Sequence, residues 1–434
     1  HAFNAETGVE LFSYIPSAVY PKLSSLTAPN YTHYYFVDGN AYAGDAYIGS
    51  TPSWKTILLG SLGAGGKSVF ALDITDPVKF SDSNELWEFS DTDLGFTQGQ
   101  AKIALLKNGI WAAIISNGYN STSDRAYLFI LDLQTGALIE KIATNDSGNN
   151  GLSAPALVDT NGDKIIDLVY AGDLQGNVWK FDLSHTNSGN WDVAYKSGNT
   201  KLPLFTARNA SDEVQPITSP LEIGRHPSGG YLVYFGTGQY IAAGDNTNSN
   251  TQTLYGIWDS GSRISATNRS TLQQQTILTE TALPPFERTV SNNSVNWQTQ
   301  KGWYLDLMQP PGTNSQGERS VIMPQLSFGR IIFTTLIPAS DPCAAGGHNW
   351  LMLLNAETGG MLTAPQFDTD DNGVINNQDR LIAAIGSDGV RSESIAISAG
   401  SLMHLIAGST TGLIEAVTIK GNPRNPRHSW KQIQ

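Results

Sequence analysis

The chain has 434 residues, 40% of them hydrophobic and only 15% charged, which is enough apolar material for a sizeable core beneath a lightly charged surface. With 26 Lys and Arg against 39 Asp and Glu, its formal charge is −13, so a nucleic-acid duplex or an anionic membrane is repelled over most of the surface and nucleic acid is not expected as a partner. The single cysteine, Cys343, precludes a disulfide within the chain, and no apolar run reaches the ~18 residues of a membrane-spanning helix.

The opening stretch HAFNAETGVELFSYIP, starting at His1, reads as the second half of a hairpin whose first strand is absent, as in a domain excised from a longer protein. From there one phrase recurs: a short aromatic or β-branched strand, then Asp or Asn, two or three residues, and often Thr-Gly. It occurs at His1 to Gly8, Val69 to Pro77, Leu128 to Gly136, Val178 to Gly189, Leu254 to Gly261 and Trp350 to Gly360. A second phrase, an apolar strand ending at Gly before a polar turn, precedes several of these, as in TILLGSLGAGG, LVYAGDLQG and LVYFGTGQY. Two alternating phrases at blade-length spacing describe a β-propeller, in which each four-stranded sheet buries its faces against its neighbours. The expected architecture is all-β, a single domain over 1–434 with about seven blades. The last blade, around Leu405 to Val417, is expected to be completed by the N-terminal strand at His1 to Tyr14. Helical periodicity is poor. The polar stretch 260–300 reads as an elaborated insertion between strands, a mobile surface excursion.

SLGAGGKS, Ser61 to Ser68, ends like a phosphate loop, but Ser61 stands where that pattern needs Gly, and the alternating strand VFALDI follows where it needs a helix. The glycines are read as a hairpin turn. Seven histidines (His1, His33, His185, His226, His348, His404, His428) fall at no metal-binding spacing, and no nucleophile elbow is present, so no enzymatic chemistry is expected. LVDTNGDKIIDLVYAGDL places Asp159, Asn161, Asp163, Ile165 and Asp167 at alternate positions, the oxygen ladder of a calcium loop with Ile165 offering its carbonyl. Carboxylates this close repel one another unless a cation or solvent intervenes. Lys164 stands where such a loop has Gly, and Tyr170 where a twelve-residue loop ends in Glu, so the ladder is a nine-residue loop running into a strand. DTDDNGVINNQD fits the longer template: Asp368, Asp370, Asn372, Gly373 at the sharp turn, the Val374 carbonyl, Asn376 and Asp379. Asp379 is shorter than the usual Glu, which predicts a weaker site.

These blocks resemble, along nearly the whole chain and in order, the C-terminal propeller of the PilC/PilY family of type IV pilus tip-associated proteins. They include YFVDGNAYAGDAY, WKTILLGSLGAGGKSVFALDITDP, APALVDTNGDKIIDLVYAGDLQGNVWKFDL and FTTLIPASDPCAAGGHNWLMLLNAETGG. The resemblance implies a quinoprotein-like, modified seven-bladed propeller at the surface of a Gram-negative cell, extracellular or at the pilus tip. It would act with pilins and minor pilins in adhesion to host cells and in control of pilus extension and retraction (twitching motility). It also implies calcium at Asp159, Asn161, Asp163, Ile165 and Asp167, with the loaded form opposing retraction. No Arg-Gly-Asp tripeptide occurs. Two other readings remain. LDLQTG and NAETGG also resemble the repeats of quinone-dependent dehydrogenases, many of which carry a vicinal disulfide that one Cys cannot form, so no quinone cofactor is expected. DTNGDKIIDLVYAGD also resembles integrin-type propeller blades, but such loops recur from blade to blade and here one clear copy is present.

Overall fold

The computed structural model describes residues 1–145, 148–264, 269–312, 314–339 and 346–422. Cys343 and His428 lie outside the described residues. By its contacts the chain divides into two compact units, His1–Leu204 and Phe205–Gln434.

In the first unit, three antiparallel sheets follow one another in chain order. The first comprises Ala41–Ile48, Ser53–Ser61, Val69–Asp73 and Glu85–Phe89. The second comprises Lys102–Leu105, Trp111–Ser116, Tyr127–Asp132 and Leu138–Ala143. The third is built from Ala156–Val158, Leu168–Gly172, Asn177–Asp182 and Asp192–Val193. The middle strands are apolar on both faces because both faces are covered. Ile57, Leu59, Val69 and Ala71 pack with Ile115, Phe129 and Leu131 of the second sheet. The opposite face of that sheet sends Ile114, Leu128 and Ile130 into a core with Val169, Trp179 and Phe181 of the third.

The recurring Asp/Asn-x-x-Thr-Gly phrase is the turn that closes these strands. Asp132 Oδ1 accepts the backbone N–H groups of Gln134 and Thr135 at 3.0 and 2.8 Å, and Gly136 takes a left-handed φ of +70°. Asn355 repeats the device with Glu357 and Thr358, and Asn4 with Glu6 and Thr7. At Asn4 it has an unexpected consequence. The turn folds Glu10–Phe12 back onto Ala2–Phe3 as a two-stranded pair, so the N-terminal stretch holds both strands of its hairpin. The pairing expected for that stretch, into the last blade, is not the one observed. SLGAGGKS is a turn between Ser53–Ser61 and Val69–Asp73, as read from sequence.

The second unit holds a five-stranded sheet of Glu222–Arg225, Tyr231–Gly236, Thr253–Asp259, Gly302–Asp306 and Gln273–Gln275. A six-stranded sheet follows, in the order Ile277–Glu280, Phe286–Val290, Ala384–Asp388, Gly347–Asn355, Arg330–Pro338 and Gln325–Ser327. Ile395–Ala399, Leu402–Gly408 and Ile414–Lys420 form a three-stranded sheet. The 260–300 stretch is therefore not a surface excursion in its described part. Gln273–Gln275 pairs in parallel with Gly302–Asp306, and Phe286–Val290 pairs with Ala384–Asp388. Buried amides replace apolar side chains here: Gln275, fully buried, donates to the carbonyls of Asn293 and Thr358 at 2.7 Å and accepts from Ser291 Oγ at 2.6 Å.

The same stretch supplies a buried cation. Arg288 lies against Trp350 at 3.9 Å, binds Glu318 through two hydrogen bonds of 2.8 and 2.7 Å, and reaches Glu280 at 2.6 Å. Its side chain is 0% exposed and that of Glu318 is 3%. Removing one member of such a pair strands the other charge in the interior, at a cost of about 3–5 kcal/mol, whereas replacing both by apolar groups costs far less. Arg288→Ala should lower the urea midpoint by that equivalent, and Arg288→Met with Glu318→Leu and Glu280→Gln should recover most of it. Equal losses in the two proteins would show that packing on Trp350, not charge, is what matters.

Candidate metal centre

Asp159 follows the strand Ala156–Val158, and Asp167 precedes Leu168–Gly172, which pairs antiparallel with it. The ladder is thus the connection of one hairpin. Asp159 Oδ1 accepts the N–H groups of Asn161 and Gly162 at 3.1 and 2.6 Å, and its Oδ2 accepts that of Lys164 at 2.8 Å. Asp163 Oδ1 accepts from Ile165 N at 2.9 Å, and Asn161 Oδ1 from Asp163 N at 2.9 Å. Asp159, Asn161 and Asp163 each turn a side-chain oxygen to the backbone N–H two residues on, a run of Asx turns. Lys164 takes φ +67°, the left-handed geometry for which the pattern wants Gly.

Burial pushes the Asp159 carboxyl up, but the backbone N–H groups of Lys164, Gly162 and Asn161 outweigh it and hold the group below the usual carboxylate range. For Asp163 the Ile165 N–H is the main cause of a lowered pKa, helped by Asn161 and by Lys107. Asp167 is buried, 4% exposed, and its Oδ2 accepts the N–H and the hydroxyl of Thr160 at 2.9 and 2.5 Å. Thr160 clamps the two ends of the ladder together. Lys107, on the turn between Lys102–Leu105 and Trp111–Ser116, places its ammonium 3.5 Å from Asp163 Oδ2.

The second loop is built alike. Asp368 Oδ2 accepts the N–H of Gly373 at 2.9 Å, and Gly373 has φ +77°. Asn372 Oδ1 accepts from Val374 N at 2.8 Å, and Asn372 Nδ2 donates to Asp370 Oδ2 at 2.8 Å. Asp379, 5% exposed, closes the loop by accepting from Thr369 N at 2.8 Å and from Asn376 N at 2.8 Å. Thr369 therefore does for Asp379 what Thr160 does for Asp167. Among the described residues, one group of three carboxylates converges with ligand oxygens within 4.8 Å of one another: Asp368, Asp370 and Asp379. The first loop does not gather its carboxylates so closely, although the sequence ranked it first.

Both donor sets consist of oxygen alone, the preference of a hard cation such as Ca²⁺. In the first loop an ammonium already occupies the flank of Asp163, a stand-in for positive charge at that position. In donor type both loops suit a calcium ion (Asp159, Asn161, Asp163, the Ile165 carbonyl and Asp167 in one, and Asp368, Asp370, Asn372, the Val374 carbonyl, Asn376 and Asp379 in the other), but only the second has its carboxylates converged. The Asp-Thr pair that starts each loop is a local signal in the sequence for this clamp. Lys107 had no local signal, lying more than fifty residues from the ladder it meets.

The sequence profile described as the PilY1 beta-propeller domain matches residues 1–287, a span that includes the whole first loop. The chain belongs to the PilY1 β-propeller family. Its sheets are accordingly propeller blades. A type IV pilus biogenesis factor PilY1 homolog of Xylella fastidiosa is 46% identical over 377 residues, covering 83% of this chain and 25% of the relative. The PilY1 of Pseudomonas aeruginosa is 39% identical over 419 residues, covering 87% of this chain and 35% of the relative. The chain thus spans between a quarter and about a third of the curated relatives it matches. The crystal structure of the Pseudomonas aeruginosa PilY1 C-terminal domain superposes with a TM-score of 0.80 at 31% identity, over 97% of this chain and 90% of that one. The second loop, 368–379, lies beyond the residues matched by the PilY1 profile.

Two outcomes follow for the ion-free loop. Lys164→Gly relieves the left-handed strain and should stabilise the protein by up to about 1 kcal/mol after the unfolded-state entropy of glycine is subtracted, read as a small rise in the thermal midpoint. Asp159 and Asp163 have folded pKa values below their ordinary 3.8, so their contribution is present above that value and is lost as pH falls through the folded pKa. Stability measured from pH 6 downward should drop less steeply in Asp159→Asn than in the parent.

Proposed function

We propose that this chain is the calcium-binding, non-enzymatic propeller of a type IV pilus biogenesis factor. It works at the cell surface or pilus tip of a Gram-negative bacterium, with pilins and minor pilins as partners. In this role it regulates pilus extension and retraction and supports attachment to host cells or surfaces. The observation that carries the reading is the first oxygen ladder, a pre-folded loop of alternate Asp and Asn donors within the residues that match the PilY1 propeller.

Bound calcium would be held by six to eight oxygens. Asp159, Asn161, Asp163, Asp167 and the Ile165 carbonyl supply five positions, and the three carboxylates more than offset its double positive charge. The relatives named as pilus biogenesis factors support a non-catalytic role. The blade survives loss of the ion in this reading, because Val169, Trp179 and Phe181 are fully buried in a core to which the loop adds only the partly buried Ile166.

Asp159→Ala should abolish calcium heat from the first loop in titration calorimetry, leave the far-ultraviolet circular dichroism intact and alter twitching motility in the bacterium carrying it. Asp368→Ala should remove only the second, weaker binding step. Unchanged motility despite proven loss of binding would remove the regulatory role, and global unfolding of Asp159→Ala would make calcium a structural cement.

A further inference from the structure

The turn that carries Lys107 is not free to drift from the calcium loop. Ile166 N–H donates to the Leu105 carbonyl at 2.9 Å, and Leu106 and Ile166 form a parallel bridge, so the second sheet is hydrogen-bonded to the loop's exit. Leu106 is fully buried, and the Gly109 N–H closes the turn onto the Leu106 carbonyl at 2.8 Å, with φ +81° at Gly109. The backbone on either side of Lys107 is therefore fixed, and its ammonium lies 3.5 Å from Asp163 Oδ2, the oxygen that also accepts from Asn161 Nδ2 at 3.0 Å. Asp163 Oδ1 is engaged by Ile165 N. Whichever oxygen Asp163 turns to an incoming cation, Lys107 is its electrostatic competitor.

We propose that Lys107 is the built-in counter-cation of the first calcium loop. It neutralises Asp163 when the loop is empty, is displaced or repelled when calcium enters, and so raises the calcium concentration at which the loop fills. The inference rests on the calcium reading of this loop and adds to it a residue from the neighbouring sheet. Because the pair is about one-third exposed (34% and 36%), solvent screens it and the effect is modest. The same geometry links the ion to the preceding blade: calcium changes the environment of the turn 106–109 through Lys107, while the Leu105 to Ile166 hydrogen bond keeps that turn in register.

The test is titration calorimetry with calcium on the whole chain, in an Asp368→Ala background that silences the second loop. Lys107→Gln should tighten binding by roughly two- to fivefold, the range expected of a partly exposed ion pair. Lys107→Arg, which keeps the charge, should leave affinity within about a factor of two by the same reasoning. The gain in Lys107→Gln should shrink as salt rises, since screening weakens the competitor. Hydrogen exchange at residues 105–111 gives a readout independent of affinity: calcium should alter it in the parent and leave it nearly unchanged in Lys107→Gln. Unchanged or weakened binding in Lys107→Gln, with binding still abolished by Asp159→Ala, would overturn the inference and leave the calcium reading standing. No calcium heat in the parent background would overturn the calcium reading itself.

Discussion

At two junctions between sheets an indole lies directly on a turn glycine. Trp87, at the outer strand of the first sheet, packs on the turn of the second so closely that a Cβ on Gly136 would stand 2.6 Å from its ring, and its N–H donates to the Leu133 carbonyl at 2.9 Å. Trp303 repeats the contact in the second unit, with a Cβ on Gly359 falling 2.2 Å from the ring and a hydrogen bond of 3.0 Å to the Ala356 carbonyl. Each contact needs three things at once: an Asx residue to fold the turn, a glycine that tolerates positive φ, and no side chain on that glycine. At Asp132 and Asn355 the Asp/Asn-x-x-Thr-Gly phrase delivers all three, whereas at Asn4 it makes the turn but Gly8 has open space beside it. A large apolar ring with one polar handle then spans the gap between sheets while satisfying a turn carbonyl that burial would otherwise orphan.

The Asp159 to Asp167 ladder is an elaboration of the same chemistry. An Asx side chain that bonds the backbone two residues on makes a turn, and several at alternate positions crowd carboxylate and amide oxygens into one short loop. That loop is electrostatically costly without a cation, which accounts for the devices around it: backbone N–H groups on Asp159, a threonine clamp on buried Asp167, and an ammonium beside Asp163. The second loop uses the same clamp, Thr369 on Asp379, and has the glycine that the first lacks. One fold element thus occurs in two tunings, one with its carboxylates already gathered and one with a lysine in attendance.

The buried polar clusters of the second unit show how a stretch with little hydrophobic content can still build sheet. Gln275 and Arg288 are both buried, and each is satisfied by several partners: carbonyls and Ser291 for the amide, two glutamates and an indole face for the guanidinium. Such residues look like surface in a hydropathy reading, because composition records polarity and not whether a partner waits for it.

The sequence by itself determined the all-β class, the propeller repeat and the family, and it located the two Asx-rich loops, since all of these are written in contacts between residues a few positions apart. Strand alternation, Asx turns and positive-φ glycines are local, and local patterns can be read without coordinates. Only the tertiary structure decided that 260–300 contributes strands to two sheets, because Phe286–Val290 finds its partner about a hundred residues away at Ala384–Asp388. It also decided that the first fourteen residues contain their own hairpin, where the Asn4 turn brings Ala2–Phe3 and Glu10–Phe12 within reach of each other before any distant strand is. And it alone placed Lys107 at Asp163, because a side chain some fifty residues upstream meets the ladder only once two sheets have packed and Leu105 has bonded Ile166.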